Sequence, residues 1–185
     1  MSAGRHLTTA ELEAGLSEIR RSPRDEGPLM LIVRRPRTLE REILEQGELD
    51  VEHGLIGDNW QARGSSMTDD GAAHPEMQLN LMNSRVIDLI AGDKSRWHLA
   101  GDQLFVDLDL SGKNLPPGTQ LAIGSAIIEV TAEPHTGCKK FVDRFGLEAM
   151  KFVNSPVGRE LNLRGINAKV VKAGTIVVGD VINKQ

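Results

Sequence analysis

Short apolar runs of strand length, each closed by a glycine or a turn pair, constrain this chain more than any other feature. From Gly101 to Leu110 the residues Leu104, Val106, Leu108 and Leu110 alternate with their neighbours, which gives a strand one buried face. Ile123-Gly124-Ser125-Ala126 carries the glycine-first, two-residue turn of a type II′ hairpin, predicting strands over Thr119 to Ile123 and Ala126 to Ala132. The unbroken run Leu29-Met30-Leu31-Ile32-Val33 reads as a buried strand with Thr38 to Leu44 as its partner, and Gln78 to Met82 reads as a further strand. Ile166 to Val171 and Thr175 to Val178, joined around Ala173-Gly174, read as a last hairpin. So many short strands with so few helices predict a mainly β chain of the α+β kind, a closed or nearly closed β-barrel with a few peripheral helices.

Three helical stretches stand beside the strands. Thr8 with Glu11 forms a capping box ahead of Leu12, Leu16 and Ile19, so a peripheral amphipathic helix opens there and ends near Ser22-Pro23. Asn83 caps a helix over Ser84 to Ala91 whose apolar face is Val86, Ile87 and Ile90, and Gly92 stops it. Between Cys138 and Val153, Phe141, Phe145, Ala149 and Phe152 recur at helical spacing. Residues 54–76 hold Gly54, Gly57, Gly64, Gly71 and Pro75 without periodicity and read as a long loop, a kind that is usually functional or mobile. At 185 residues the chain suits one domain, 28–185, preceded by an N-terminal helical extension, 1–27.

Composition removes several classes of function. Aromatic residues reach only 3% and the formal charge is -4, so a surface that stacks bases on aromatic rings is poorly supplied and no nucleic-acid partner is expected. Nowhere does the chain approach the ~20 consecutive apolar residues of a membrane span, and Met1 to Glu13 has no apolar core segment; no membrane partner is expected. The single cysteine, Cys138, cannot form an intramolecular disulfide or by itself build a zinc cluster. A reducing, cytoplasmic location is the expectation.

Chemistry concentrates after that cysteine. Residues 139–172 contain eight Lys or Arg and three acids, a local +5, which suits either a phosphate-bearing ligand or a solvated helix face. Cys138 follows Pro134-His135-Thr136-Gly137 and precedes Lys139-Lys140, where a loop enters a helix; nearby N–H groups and cations favour the thiolate, and His135 can serve as donor or base. The alternative is an inert thiol beside a turn histidine. Asp107 and Asp109 share a strand face and read as its wet side, and His53, His74 and His98 lack partners at metal-ligand spacing.

Taken in order, Gly101-Asp102, the run from Ser111 to Gly118, Gly124 with Ile128-Glu129-Val130-Thr131, His135-Thr136-Gly137-Cys138, Arg164 to Val170 and Gly179-Asp180 resemble a MOSC domain, the C-terminal domain of molybdenum cofactor sulfurases. The resemblance covers roughly residues 28 to 182. It implies a β-barrel of the pyruvate-kinase type and a molybdenum-pterin cofactor. Cys138 would bind the molybdenum or carry sulfur, with His135 beside it, and Lys139, Lys140, Arg144 and Arg164, with Thr136 and Gly137, would hold the cofactor. Gly137 stands where the family often has proline, and the Gly57-Asp58 loop lacks a clear Arg-Gln motif. No pyridoxal-phosphate desulfurase domain is present, so no pyridoxal phosphate is expected in this chain. Three functions follow from the resemblance: a molybdenum-dependent oxidoreductase reducing N-hydroxylated compounds, a persulfide carrier serving a redox or sulfur-transfer partner protein, or a cofactor-free interaction barrel.

Overall fold

The structure is a computed structural model and describes residues 5–185; the first four residues of the expected extension lie outside the described residues. The elements in chain order are α1 (Thr9–Ala14), α2 (Leu16–Ile19), β1 (Gly27–Arg34), β2 (Glu42–Leu44), β3 (Gln46–Asp50), β4 (Gly54–Leu55), α3 (Trp60–Arg63), β5 (Leu79–Asn83), α4 (Ser84–Ala91), β6 (Leu104–Val106), β7 (Gln120–Ile123), β8 (Ala126–Val130), α5 (Lys139–Phe145), α6 (Leu147–Asn154), α7 (Pro156–Glu160), β9 (Ile166–Lys172), β10 (Gly174–Val177) and β11 (Val181–Lys184). Short 3-10 turns occupy Pro75–Met77 and Lys94–Ala100.

Seven strands close into a barrel in the order β11-β7-β8-β9-β5-β6-β1, sealed by pairing of β1 with β11, and β2 adds to the far end of β1. Closure leaves no long unpaired edge. All barrel pairs are antiparallel except β5 with β6, which α4 and the following 3-10 turn connect. The barrel interior is filled by Leu29, Ile32, Leu79, Leu81, Leu104, Val106, Leu108, Leu121, Ile128 and Ile166 among others. A second apolar cluster lies between the barrel wall and the helices, where Leu31, Val33, Met82 and Phe105 meet Ile87, Trp97, Phe141, Phe145 and Phe152. The β1 run is therefore apolar without alternation because both of its faces are covered. A register shift between Leu29 and Leu31 turns Leu29 and Ile32 to the interior and Leu31 and Val33 to the helices.

Local signals acted where they were read. The Thr8 and Glu11 capping box opens α1, and Arg85 ties the extension to the wall by pairing with both Glu18 and Asp107. The Asn83 side chain accepts from the N–H groups of Arg85 and Val86, and Gly92 ends α4 in the left-handed region. The alternating stretch 101–110 is regular strand only over β6, although Leu108 and Leu110 stay buried in the barrel. The long loop contains β4 and α3 and supplies Asp58 to the site described below.

The expected last hairpin requires correction. β9 pairs with β8 and β5, whereas β10 pairs with β3 in a separate three-stranded sheet with β4. Ala173 alone separates β9 from β10, too little for a two-residue hairpin turn. Gly174 also lies against backbone, since a Cβ there would stand 2.5 Å from the Ala126 nitrogen. The chain thus crosses directly from barrel to small sheet, and β11, absent from the expected strands, completes the ring.

Candidate functional site

Buried polar groups gather where the 3-10 turn Lys94–Ala100 runs into β6. Asp102 is fully buried and receives both an arginine and a histidine: Arg164 Nη1 donates to its two carboxylate oxygens at 2.8 and 3.0 Å, and His135 Nε2 lies 2.9 Å from Oδ1. Arg164 also donates from Nη2 to the Ala100 carbonyl at 3.1 Å, and its guanidinium sits 5.0 Å over the Phe141 ring of α5. Burial pushes the Asp102 carboxyl up, but the charge of Arg164, then the charge and hydrogen bond of His135, outweigh it and hold the group down to about 2. Burial, then the charge of Arg164, holds His135 below the ordinary histidine range despite the opposing pull of Asp102. Neutral His135 therefore gives its Nε2 proton to Asp102 and keeps Nδ1 as an acceptor.

A second arginine group lies beyond Gly101. Arg35, buried at the end of β1, makes a bidentate pair with Asp58 at 2.7 and 2.9 Å and donates from Nη1 to the Asn80 side chain and the Gly101 carbonyl. Gly101 has a φ of +91, and a Cβ there would lie 3.4 Å from Arg41 Nη2 and 3.9 Å from Arg144 Nη1. The glycine thus meets a backbone need, and the two guanidinium groups lie at ordinary contact distance beside it. Arg144 Nη1 donates to the Leu99 carbonyl at 2.5 Å. Partial burial, then the charges of Arg144 and Arg35, push Arg41 below its ordinary value, with Asp58 opposing. Arg63, more exposed by area, is shifted the same way by desolvation and then Arg35. Burial, together with Arg41 and Arg144, lowers His98 against a backbone hydrogen bond that raises it. Arg41 Nε and His98 Nδ1 are buried without partners among the described residues. Arg41, Arg63 and Arg144 have no carboxylate partner among the described residues beside the Arg35 and Asp58 pair, and with the unpartnered Arg41 Nε and His98 Nδ1 they fit an anionic group such as a phosphate.

The residues singled out from sequence distribute over these surroundings. Cys138 is exposed at the N-cap of α5, and Lys139 and Lys140 behind it are exposed. Arg144, in the last turn of α5, joins the group beyond Gly101, about 9 Å along the helix axis from Cys138. Arg164 is buried and committed to Asp102, away from solvent. Gly137 packs against Met150 and Asn154 of α6. His135 and Thr136 line a cavity of about 420 Å³ together with Asn154, Arg159, Asn162 and Arg164. Arg35, Arg41 and Arg63 carry no signal in the sequence, while His98 is considered there only as a metal ligand and Asp58 only as part of the Gly57-Asp58 loop. Gly101-Asp102 is among the residues that carry the resemblance, but nothing local marks Asp102 as a buried carboxylate. Among the described residues, no three His, Cys, Asp or Glu side chains come together as a metal-binding group, and no helix is long and apolar enough to cross a membrane.

Comparison with known proteins gives the fold. No family model and no curated protein matches the chain. The chain is similar in structure to the YUAD protein from Bacillus subtilis, at 16% identity and a TM-score of 0.61, over 86% of this chain and 97% of that one. It is also similar to YiiM from Escherichia coli, at 17% identity and a TM-score of 0.56, over 86% and 69% of the respective chains. With YiiM from Geobacillus stearothermophilus the identity is 11% and the TM-score 0.51, over 87% and 73%. The closed seven-stranded mixed barrel with peripheral helices is thus a fold shared with solved proteins of low sequence identity.

Proposed function

We propose that this chain is a MOSC-type protein that holds a molybdenum-pterin cofactor, its phosphate among the arginines beyond Gly101 and its metal at Cys138. The observation that carries the reading is the charge excess there: Arg35, Arg41, Arg63 and Arg144 against Asp58, with Arg41 Nε and His98 Nδ1 left unpartnered. A phosphate supplies both the missing negative charge and the missing acceptors. The exposed Cys138 offers one soft donor, suited to molybdenum in place of a multi-residue metal cage. When bound, the group supplies redox chemistry, with N-hydroxylated compounds as the substrates the resemblance implies. The chain's own residues neutralise the phosphate, present one thiolate, and keep a neutral imidazole, His135, three residues before it.

Exposure of Cys138 also favours a second reading, a persulfide carrier, since a thiol at a helix entry is within reach of a partner protein. Metal analysis with oxidised-pterin fluorescence on freshly purified protein separates the two. Stoichiometric molybdenum and pterin, both lost in Cys138→Ser with the fold intact, are expected. Cyanide-releasable sulfur without metal would transfer the reading to the carrier, and neither would leave an interaction barrel.

A further inference from the structure

The cavity beside His135 has a chemistry of its own. Its volume of about 420 Å³ lies in the range of small-molecule pockets, roughly 300–1,000 Å³. Its lining includes two arginines and a histidine and no acid. Arg164 is already neutralised by Asp102, so Arg159, at the end of α7 with no carboxylate partner among the described residues, is the cation left for a ligand. Asp102 takes the Nε2 edge of His135, and the adjoining ring carbon Cδ2 faces the backbone at Gly165, 3.3 Å from where a Cβ would stand. Nδ1, on the opposite edge, makes no hydrogen bond among the described residues. Val153 and Pro134 add apolar wall.

We propose that this cavity is a binding site for a small carboxylate that also carries a hydroxyl or amine, the carboxylate meeting Arg159 and the O–H or N–H donating to Nδ1 of His135. Asp102 is the positioning residue: held by Arg164, it fixes the tautomer in which Nδ1 accepts. The inference does not rest on the proposed function, and the site stands or falls separately.

The test uses mandelate as probe, with phenylacetate lacking the hydroxyl and mandelamide lacking the charge. Each is titrated into the full chain as purified, with its molybdenum content measured on the same sample. Protection of His135 from diethyl pyrocarbonate is followed by peptide mass spectrometry, which separates it from the other four histidines. Mandelate should protect His135, with each analogue about tenfold weaker, the loss of one good hydrogen bond or charge contact. Arg159→Gln should remove the preference over mandelamide. In Asp102→Asn, Arg164 claims the amide oxygen and the amide N–H₂ faces Nε2, so the imidazole proton moves to Nδ1; the mandelate hydroxyl can then turn and accept, whereas phenylglycine, whose ammonium only donates, should lose its preference over phenylacetate. If that variant does not fold, the three-ligand comparison on the native chain and Arg159→Gln still decide. Equal binding of all three, no protection of His135, or protection of His98 in its place would overturn the site. Discrimination without molybdenum would sink the cofactor reading and leave the site; molybdenum without discrimination would do the reverse.

Discussion

On one side of Gly101 the guanidinium of Arg164 meets the carboxylate of Asp102 in a fully covered pair; on the other, Arg35 pairs with Asp58 while Arg41, Arg63 and Arg144 have no carboxylate partner among the described residues. The first group is balanced within itself and is further capped by His135 and the Phe141 ring. Each holds buried nitrogens with no partner among the described residues, Arg164 Nε in the first and Arg41 Nε and His98 Nδ1 in the second, but only the second carries an excess of positive charge. The same side chain thus does two kinds of work within one site. Where charge closes, arginine orients a neighbour; where it stays open, the proposed function assigns arginine to an anion.

The balanced side should be the more costly to break. Asp102→Ala leaves Arg164 buried with its charge uncompensated, and urea unfolding should show a loss of about 3–5 kcal/mol. A loss near zero would mean that water reaches Arg164 in the folded chain, and the contrast between the two groups would collapse.

The open side should respond to ligand where the balanced side does not. Inorganic phosphate at a hundredfold excess over its dissociation constant should raise unfolding stability by about 2.7 kcal/mol. The double variant Arg41→Gln, Arg63→Gln should lose most of that gain while Arg159→Gln keeps it. An equal response in all three would place the anion elsewhere.

What was legible in the sequence follows the range of the forces involved. Caps and turns act over a few residues, so Thr8, Asn83, Gly92 and Gly124-Ser125 could be read directly. The last hairpin failed because its partner choice was made far away, at Glu48 and Leu49 of β3. The site is less legible still. Arg35, Asp58 and Gly101 meet only after β1 and β6 pair and the loop before β5 folds back, and Arg164 finds Asp102 across 62 residues. The basic stretch after Cys138 divides in space: Arg144 joins the open group, Arg164 the closed pair, and Lys139 and Lys140 face solvent.

Acid should act on the balanced side in two steps. Unfolded histidine titrates near 6.5 and His135 lower when folded, so below about pH 6.5 the unfolded chain binds the extra proton and stability falls; His98 adds in the same direction. Asp102 titrates at 3.8 unfolded and about 2 folded, so its contribution, about 2 kcal/mol, is complete above about pH 5 and is lost as pH falls through 2. Denaturation curves across pH 2–8 check both, and His135→Gln should shrink the upper step to the share of His98 and also narrow the lower one, because the charge and hydrogen bond of His135 help hold Asp102 down.

The smallest expected effect is the sharpest contrast, because it differs in sign. Arg41 is half-buried, its Nε has no partner, and Arg144, Arg35 and Arg63 all repel it. Its one hydrogen bond among the described residues is local, from Nη1 to the Glu40 carbonyl. Without an anion, Arg41→Gln therefore removes more repulsion than attraction. Stability at low salt should rise by about 0.2–1 kcal/mol, the scale of a partly exposed charge contact. The gain should shrink as the ionic strength rises toward 1 M, where screening reaches ~3 Å. Adding phosphate should reverse the ranking, with the native chain becoming the more stable of the two. Arg164→Gln, by contrast, strands the Asp102 carboxylate and should lose stability at every salt concentration. If Arg41→Gln were destabilising in the absence of phosphate, the four arginines would already be satisfied within the protein, and the open side would be as closed as the other.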